Sequence, residues 1–163
     1  MHTAEQGGSL ADRMAARLLQ TRWVVRALVP VFRIGLGAIG GGRLLLLEHR
    51  GRASGRRRFV VLEVVDRPAP DRVVIASGFG VSAQWYRNLV ANGIAFVTLT
   101  GLRARRAVPT FLDEKESRSQ LVGYGARHPS AWRHLRGAMA IAQGVVNPDI
   151  RIVVLDLADR RHP

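Results

Sequence analysis

The chain has no cysteine. Disulfides, thiolate metal centres and thiol nucleophiles are therefore excluded, and the absence fits a reducing compartment. Lysine is nearly as scarce: of 25 basic residues only Lys115 is lysine, and the other 24 are arginine. GC-rich codon usage produces such a skew by itself, so a net charge of +13 over 163 residues is a weak guide to partners. Long apolar runs are missing too. The best stretch, Leu28–Leu47, is broken by Pro30, Arg33, Arg43 and several glycines, whereas a spanning helix needs about 20 mostly apolar residues. Polar Met1–Ser9 shows no signal-peptide pattern. No histidine shows the i, i+4 pairing with a carboxylate that a zinc helix requires, and no Gly-x-Ser-x-Gly elbow or paired acid/base carboxylates occur. No metal site and no catalytic side chain is expected.

What is present is a foldable chain. An apolar content of 47% with seven prolines favours one globular domain over disorder. Residues 1–42 read as a helical, cationic segment and residues 43–163 as a β-rich domain. Ser9 with Asp12 resembles a capping box, and Leu10, Met14 and Leu18 follow at helical spacing. Eleven arginines in residues 1–58 face only Glu5, Asp12 and Glu48. Such a surface suits anionic lipid, nucleic acid or an anionic cofactor, and Trp23 would serve either as core or as an anchor at a membrane interface.

From Leu44 the pattern turns β. Leu44–His49, Arg57–Val65 and Arg72–Ser77 are strand-like, with Asp66–Asp71 as a proline-bearing turn. Gln84–Ala91 reads as a helix stopped by Asn92-Gly93. Ile94–Thr100 and Leu102–Leu112 form a hairpin about Gly101. Asp113 with Glu116 opens a helix toward Tyr124, Pro129–Ala142 is a further helix, and Ile150–Leu157 is the last strand. A helix does not follow every strand, as parallel βαβ units would require. The order predicts an α+β, mainly antiparallel fold, a sheet closing into a small barrel with helices outside.

Three stretches carry candidate chemistry. Arg50 to Arg58 places five arginines, two glycines and Ser54 on one hairpin end. Guanidinium forks and turn N–H groups there suit phosphate or carboxylate, and a solvated charge run is the plain alternative. Ser77-Gly78-Phe79-Gly80 follows a strand and reads either as an anion-binding concavity or as a simple strand-to-helix turn. Trp85 and Asn88 share a helical face that suits a flat heteroaromatic ligand, with Tyr86 pointing elsewhere; a core Trp with an exposed Asn is the ordinary alternative.

In order, Arg50-Gly51-Arg52-Ala53-Ser54-Gly55, then Ala76-Ser77-Gly78-Phe79-Gly80, then Trp85-Tyr86-Arg87-Asn88-Leu89-Val90-Ala91-Asn92 resembles the deazaflavin-dependent nitroreductase family. The resemblance runs from Leu44 to Pro109 and implies a split β-barrel with flanking helices that binds coenzyme F420, FMN being the less favoured cofactor. It implies that Arg52, Ser54 and Arg58 hold the cofactor's phosphate or acidic tail. Ala76, Ser77 and Gly78 would line the deazaflavin ring, and Trp85 and Asn88 would close the pocket. Hydride transfer to an apolar small-molecule acceptor (a quinone, nitro compound or enone) needs only positioning and exclusion of water, which accounts for the missing triad. Ala53 stands where the family carries lysine, leaving Arg56 or Arg57 to replace it. Gln84 stands where an apolar residue is usual, Phe79 narrows the loop, and Tyr124 is the one candidate for a substrate-side tyrosine. The expected setting is cytoplasmic or peripheral to an anionic membrane through the N-terminal segment, with a homodimer as the assembly such barrels commonly form. The second reading is a non-enzymatic lipid or cofactor binder on the same barrel. Nucleic acid is not expected, since the three tryptophans are scattered and no known motif occurs.

Overall fold

The computed structural model describes residues 43–158. The expected N-terminal helices, Trp23 and their membrane role lie outside the described residues. Six strands follow: β1 (Leu44–Arg50), β2 (Arg57–Ala69), β3 (Arg72–Ser77), β4 (Ala95–Leu99), β5 (Leu102–Phe111) and β6 (Arg151–Leu157). They close into a barrel in the order β1-β2-β3-β6-β5-β4, every neighbouring pair antiparallel. The mainly antiparallel α+β barrel expected from the pattern is the fold.

Period-two alternation explains the closure. Leu45, Leu47, Val73, Ile75, Val97, Val153 and Leu155 are fully buried in the barrel interior. Burial of each such side chain stabilises by about 1.5–3 kcal/mol. Val74 and Ile152, one residue along, belong to a second cluster outside the barrel with Leu121, Tyr124 and Met139. The last three come from α2 (Glu114–Arg127) and α3 (Pro129–Gln143), which therefore cover β3 and β6. The first helix, α1 (Gln84–Asn92), sends Trp85, Tyr86 and Leu89 into the interior cluster and so plugs the barrel.

Local signals behave mostly as expected. Asp113 and Glu116 make a reciprocal capping box, the Glu116 N–H donating to Asp113 Oδ1 at 2.8 Å and the Asp113 N–H to Glu116 Oε2 at 2.9 Å. The helix runs past Tyr124 to Arg127, where Pro129 starts α3 at its first position. The expected Asp66–Asp71 loop is mostly strand. Register shifts between Val64, Asp66 and Ala69 absorb Pro68 within β2, leaving only a short turn before Arg72.

One buried hydroxyl joins the helical layer to the barrel. Ser117 is fully buried, its Oγ accepting from the Ile152 N–H at 3.0 Å and donating to the Leu112 carbonyl at 3.4 Å. Ser117→Ala leaves the strand N–H without its partner and should destabilise by about 1–3 kcal/mol. Urea unfolding should show a lower midpoint with an unchanged slope.

Candidate functional site

The arginine-rich hairpin is a structured turn. The Gly51 N–H donates to the Arg56 carbonyl at 2.9 Å, the Gly55 N–H to the Gly51 carbonyl at 2.7 Å, and Arg50 Nη1 to the Gly55 carbonyl at 3.1 Å. A Cβ on Gly51 would lie 2.7 Å from Ser54 Oγ and 2.8 Å from Arg58 Nε. Ser54 and Arg58 thus meet over the bare face of Gly51, which a larger residue would block.

Arg52 leaves the turn and reaches α1. Its backbone N–H donates to Asn88 Oδ1 at 3.1 Å, and its Nη1 donates to Asn88 Oδ1 and to Gln84 Oε1, both at 3.0 Å. Asn92 Nδ2 donates to the Arg50 carbonyl at 3.0 Å. Gln84, Asn88 and Asn92 are four residues apart, so one helical face of amides fastens α1 to the hairpin. Asn88 is buried, not exposed, and its Nδ2 lies 3.3 Å from Nδ1 of buried His49. Burial, and then Arg58, hold the His49 imidazole below its ordinary value, while a backbone hydrogen bond at Arg50 and the Glu48 carboxylate act the other way.

Charge is unevenly compensated. Arg57 is engaged by Glu48, Nη2 to Oε2 at 2.7 Å, and lies over the Phe59 ring. Among the described residues no carboxylate pairs with Arg50, Arg52, Arg56 or Arg58. Of the two arginines expected to replace the lysine at Ala53, Arg56 is the one not engaged by an acid.

The second group of expected site residues is more enclosed. Ser77 is fully buried and its hydroxyl donates to the Gly80 carbonyl at 2.7 Å. The Phe79 carbonyl accepts from the Ser82 N–H at 3.1 Å and the Ser82 hydroxyl at 2.6 Å, and the Gly78 carbonyl accepts from Gln143 Nε2. Gly80 adopts a φ of 53°, the left-handed conformation that suits glycine, at the start of a short 3₁₀ turn, Gly80–Ser82, leading into α1. Ala76 packs on the outer cluster that holds Met139. Trp85 is buried and meets Tyr86 edge-on at 5.9 Å, and Tyr86 meets Phe111 at 5.0 Å. Tyr86, expected off the Trp85–Asn88 face, is buried as well, because α1 plugs the barrel and has buried residues on both sides of that line. Burial also raises the Tyr86 hydroxyl above its ordinary value. Tyr124 is on the buried face of α2, its hydroxyl donating to Glu63 Oε1 at 3.0 Å and accepting from Arg43 Nη2 at 3.1 Å.

The structure therefore brings Arg52 and Asn88 together, with Ser54 and Arg58 on the same turn. Ala76 and Ser77 end β3 and Gly78 opens the packed turn after it, which leads through Gly80–Ser82 to the start of α1 at Gln84 and Trp85. His49, Gln84 and Asn92 were missed as site residues. The i, i+4, i+8 amide spacing was the signal for two of them, and His49 had none. A groove of about 230 Å³ lies elsewhere on the barrel, lined by Leu46, Glu48, Arg57, Phe59, Phe96, Thr98, Arg103 and Ala104, and includes none of the expected site residues. Among the described residues no cluster could hold a metal ion, and no helix is long and apolar enough to cross a membrane.

No family model matches the chain. A Mycobacterium tuberculosis protein named as an F420H2-dependent quinone reductase is 38% identical over 86 residues, 51% of this chain and 71% of that protein. Among solved structures, an Agrobacterium tumefaciens protein of unknown function superposes with a TM-score of 0.51 at 16% identity, over 82% of this chain and 58% of its own. A chain described as a domain-swapped dimer superposes with a TM-score of 0.50 at 16% identity, over 84% of this chain and 99% of that one. These two likenesses speak to the fold alone. The six-stranded closed antiparallel barrel, with helices packed against it, is a split-barrel fold. With the sequence match, the chain belongs to the F420-dependent reductase family of such barrels.

Gly78 has a packing role that any ligand role must share. A Cβ there would lie 1.8 Å from Met139 Sδ and 2.5 Å from its Cε. Gly78→Ala should destabilise by about 1–3 kcal/mol, because Met139 must swing out of its place. Gly78→Ala combined with Met139→Ala should be less damaging than the sum of the single changes by more than about 0.5 kcal/mol. A double-mutant cycle in urea measures this coupling.

Proposed function

We propose that this protein is an F420-dependent reductase that passes a hydride from the reduced deazaflavin to an apolar acceptor, a quinone, nitro compound or enone. One observation carries the reading: the guanidinium of Arg52 is bonded to Asn88 and Gln84, joining the hairpin motif and the helix motif on which the family rests. The name of the Mycobacterium tuberculosis relative supports the same cofactor and favours a quinone.

The residues present fit the charged part of the group. Arg52, Arg56 and Arg58 are cations without an acidic partner among the described residues, held on a turn whose own amides are ordered. Arg58 over Gly51, with Ser54 beside it, would take an anionic oxygen by charge-assisted hydrogen bonds. The carbonyls of Gly78, Phe79 and Gly80 are all engaged within the protein, so a ligand at that turn would be met by its N–H groups. Trp85, buried at the head of α1, would shield one side from water. The bound deazaflavin supplies the hydride chemistry itself, and this chain's part is orientation and exclusion of solvent.

A second reading is favoured by the packing of Met139 against Gly78 and the full burial of Ser77. These suit a barrel that holds the cofactor, or a lipid, without turnover. Titration with oxidised F420, followed by tryptophan quenching, tests the shared claim: saturation at micromolar cofactor is expected, and none would overturn it. Oxidation of F420H2 by a soluble quinone, followed by absorbance, separates the two, since the binder saturates but does not turn over. Arg58→Ala should weaken F420 binding by about 1.5–3 kcal/mol if its guanidinium meets an anion. Arg57→Ala, its charge already answered by Glu48, should cost less than half as much in the same titration.

A further inference from the structure

We propose that His49 is a positioning residue for the arginine site: its Nδ1 accepts from Asn88 Nδ2 and so aims Asn88 Oδ1 at Arg52. The role follows from counting donors and acceptors. The Arg52 N–H and Nη1 can only donate, and both lie at hydrogen-bond distance from Asn88 Oδ1, 3.1 and 3.0 Å. That fixes the amide with its oxygen toward Arg52 and its nitrogen toward His49, 3.3 Å away. Asn88 Nδ2 can only donate, so His49 Nδ1 must carry no proton, and the proton of the neutral ring sits on Nε2. Both side chains are buried, His49 at 5% and Asn88 at 3% exposure, so water does not readily substitute.

The arrangement depends on protonation. An imidazolium would turn an Nδ1–H toward the Asn88 nitrogen. The amide would have to rotate, placing its donors against the donors of Arg52 and releasing the guanidinium. The surroundings oppose that proton. Arg58 on β2 pairs in register with His49, and Arg52 stands beyond Asn88 on the α1 side, both cationic. Glu48 on β1, with a backbone hydrogen bond at Arg50, is the opposing influence, and Glu48 is itself engaged by Arg57. The folded value is lowered below 6.5, so the neutral, positioning form still prevails at pH 6.5 and is lost only as pH falls through that lowered value.

The inference rests on the proposed cofactor reading for its consequence, but not for its geometry, and the tests keep the two apart. Long-range ¹H–¹⁵N spectra of the histidine rings in the free wild-type protein at pH 7.5 should show His49 as the Nε2–H tautomer. An Nδ1–H tautomer or an imidazolium would overturn the proposal. Backbone amide exchange of Arg52, also without ligand, should be slowed in the wild type and in His49→Gln, whose Oε1 can accept from Asn88. It should be fast in His49→Leu. Equal protection in all three would overturn it. With F420 as probe, His49→Leu should bind about tenfold more weakly at pH 7.5, the equivalent of one lost hydrogen bond, and His49→Gln within about twofold of wild type. As pH falls below 6.5 and through the lowered folded value of His49, the wild type should lose affinity relative to His49→Gln; the cofactor's own titration is common to both and cancels in the ratio. A flat ratio would sink the protonation link. If the wild type does not bind F420 at all, the cofactor reading falls, and the spectra and amide exchange still decide the role of His49.

Discussion

Two hydrogen bonds converging from Arg52 onto one buried amide oxygen hold the candidate site together. The barrel interior is apolar, and a turn carrying five arginines stands at one end of it. Like charges on so short a turn repel, and nothing in the turn itself requires Arg52 to face the helix. Asn88 supplies the reason. Its oxygen takes the Arg52 N–H and guanidinium together, fixing backbone and side chain at once. Gln84 and Asn92 extend the same attachment by one helical turn in each direction. The helix is in turn fixed by Trp85, Tyr86 and Leu89 inside the barrel, so the hydrophobic core sets the position of the cations.

A buried amide is an expensive anchor unless every lone pair and proton is met, because an unsatisfied buried polar group costs about 1–3 kcal/mol. Among the described residues no buried side-chain polar atom lacks a partner. The same rule governs Ser77 and Ser117, whose hydroxyls are fully buried and bonded to backbone. It also shapes Tyr124 on the buried face of α2, whose phenol shares Glu63 with Arg43. That pairing makes Tyr124 part of the attachment of the helical layer to β2. No contact of its hydroxyl leads toward the Arg52 cluster.

Much of the fold was legible because alternation and capping act locally. Leu45 and Leu47 alternate into the core, and Asp113 with Glu116 starts its helix where the pattern places it. Pro68 misled because proline ordinarily ends a strand, while here paired register shifts let β2 continue around it. The site was legible in part. Arg52 and Asn88 meet as the paired motifs imply. Ala76 and Gly78, by contrast, lie against a helix residue, Met139, that no local pattern connects to them. His49 was invisible for the same reason: its significance lies in a contact with a helix 39 residues away. A lone histidine on a strand carries no signal until the partner that needs its free nitrogen is known.

The departures from the family pattern make sense once the contacts are considered together. Gln84, where an apolar residue is usual, places an acceptor within reach of Arg52. Ala53 removes a cation from the turn, but Arg56 remains beside it without an acid partner among the described residues, while Arg57 is turned away to Glu48. Arg52, Arg56 and Arg58 remain as cations without an acid partner among the described residues. Phe79 has no such compensation, since its carbonyl is fixed by Ser82 and its ring packs against the interior cluster. On the proposed reading the turn therefore conserves its grip on the anionic end of the cofactor. Any narrowing falls on the ring side, where the shape of the acceptor would be selected.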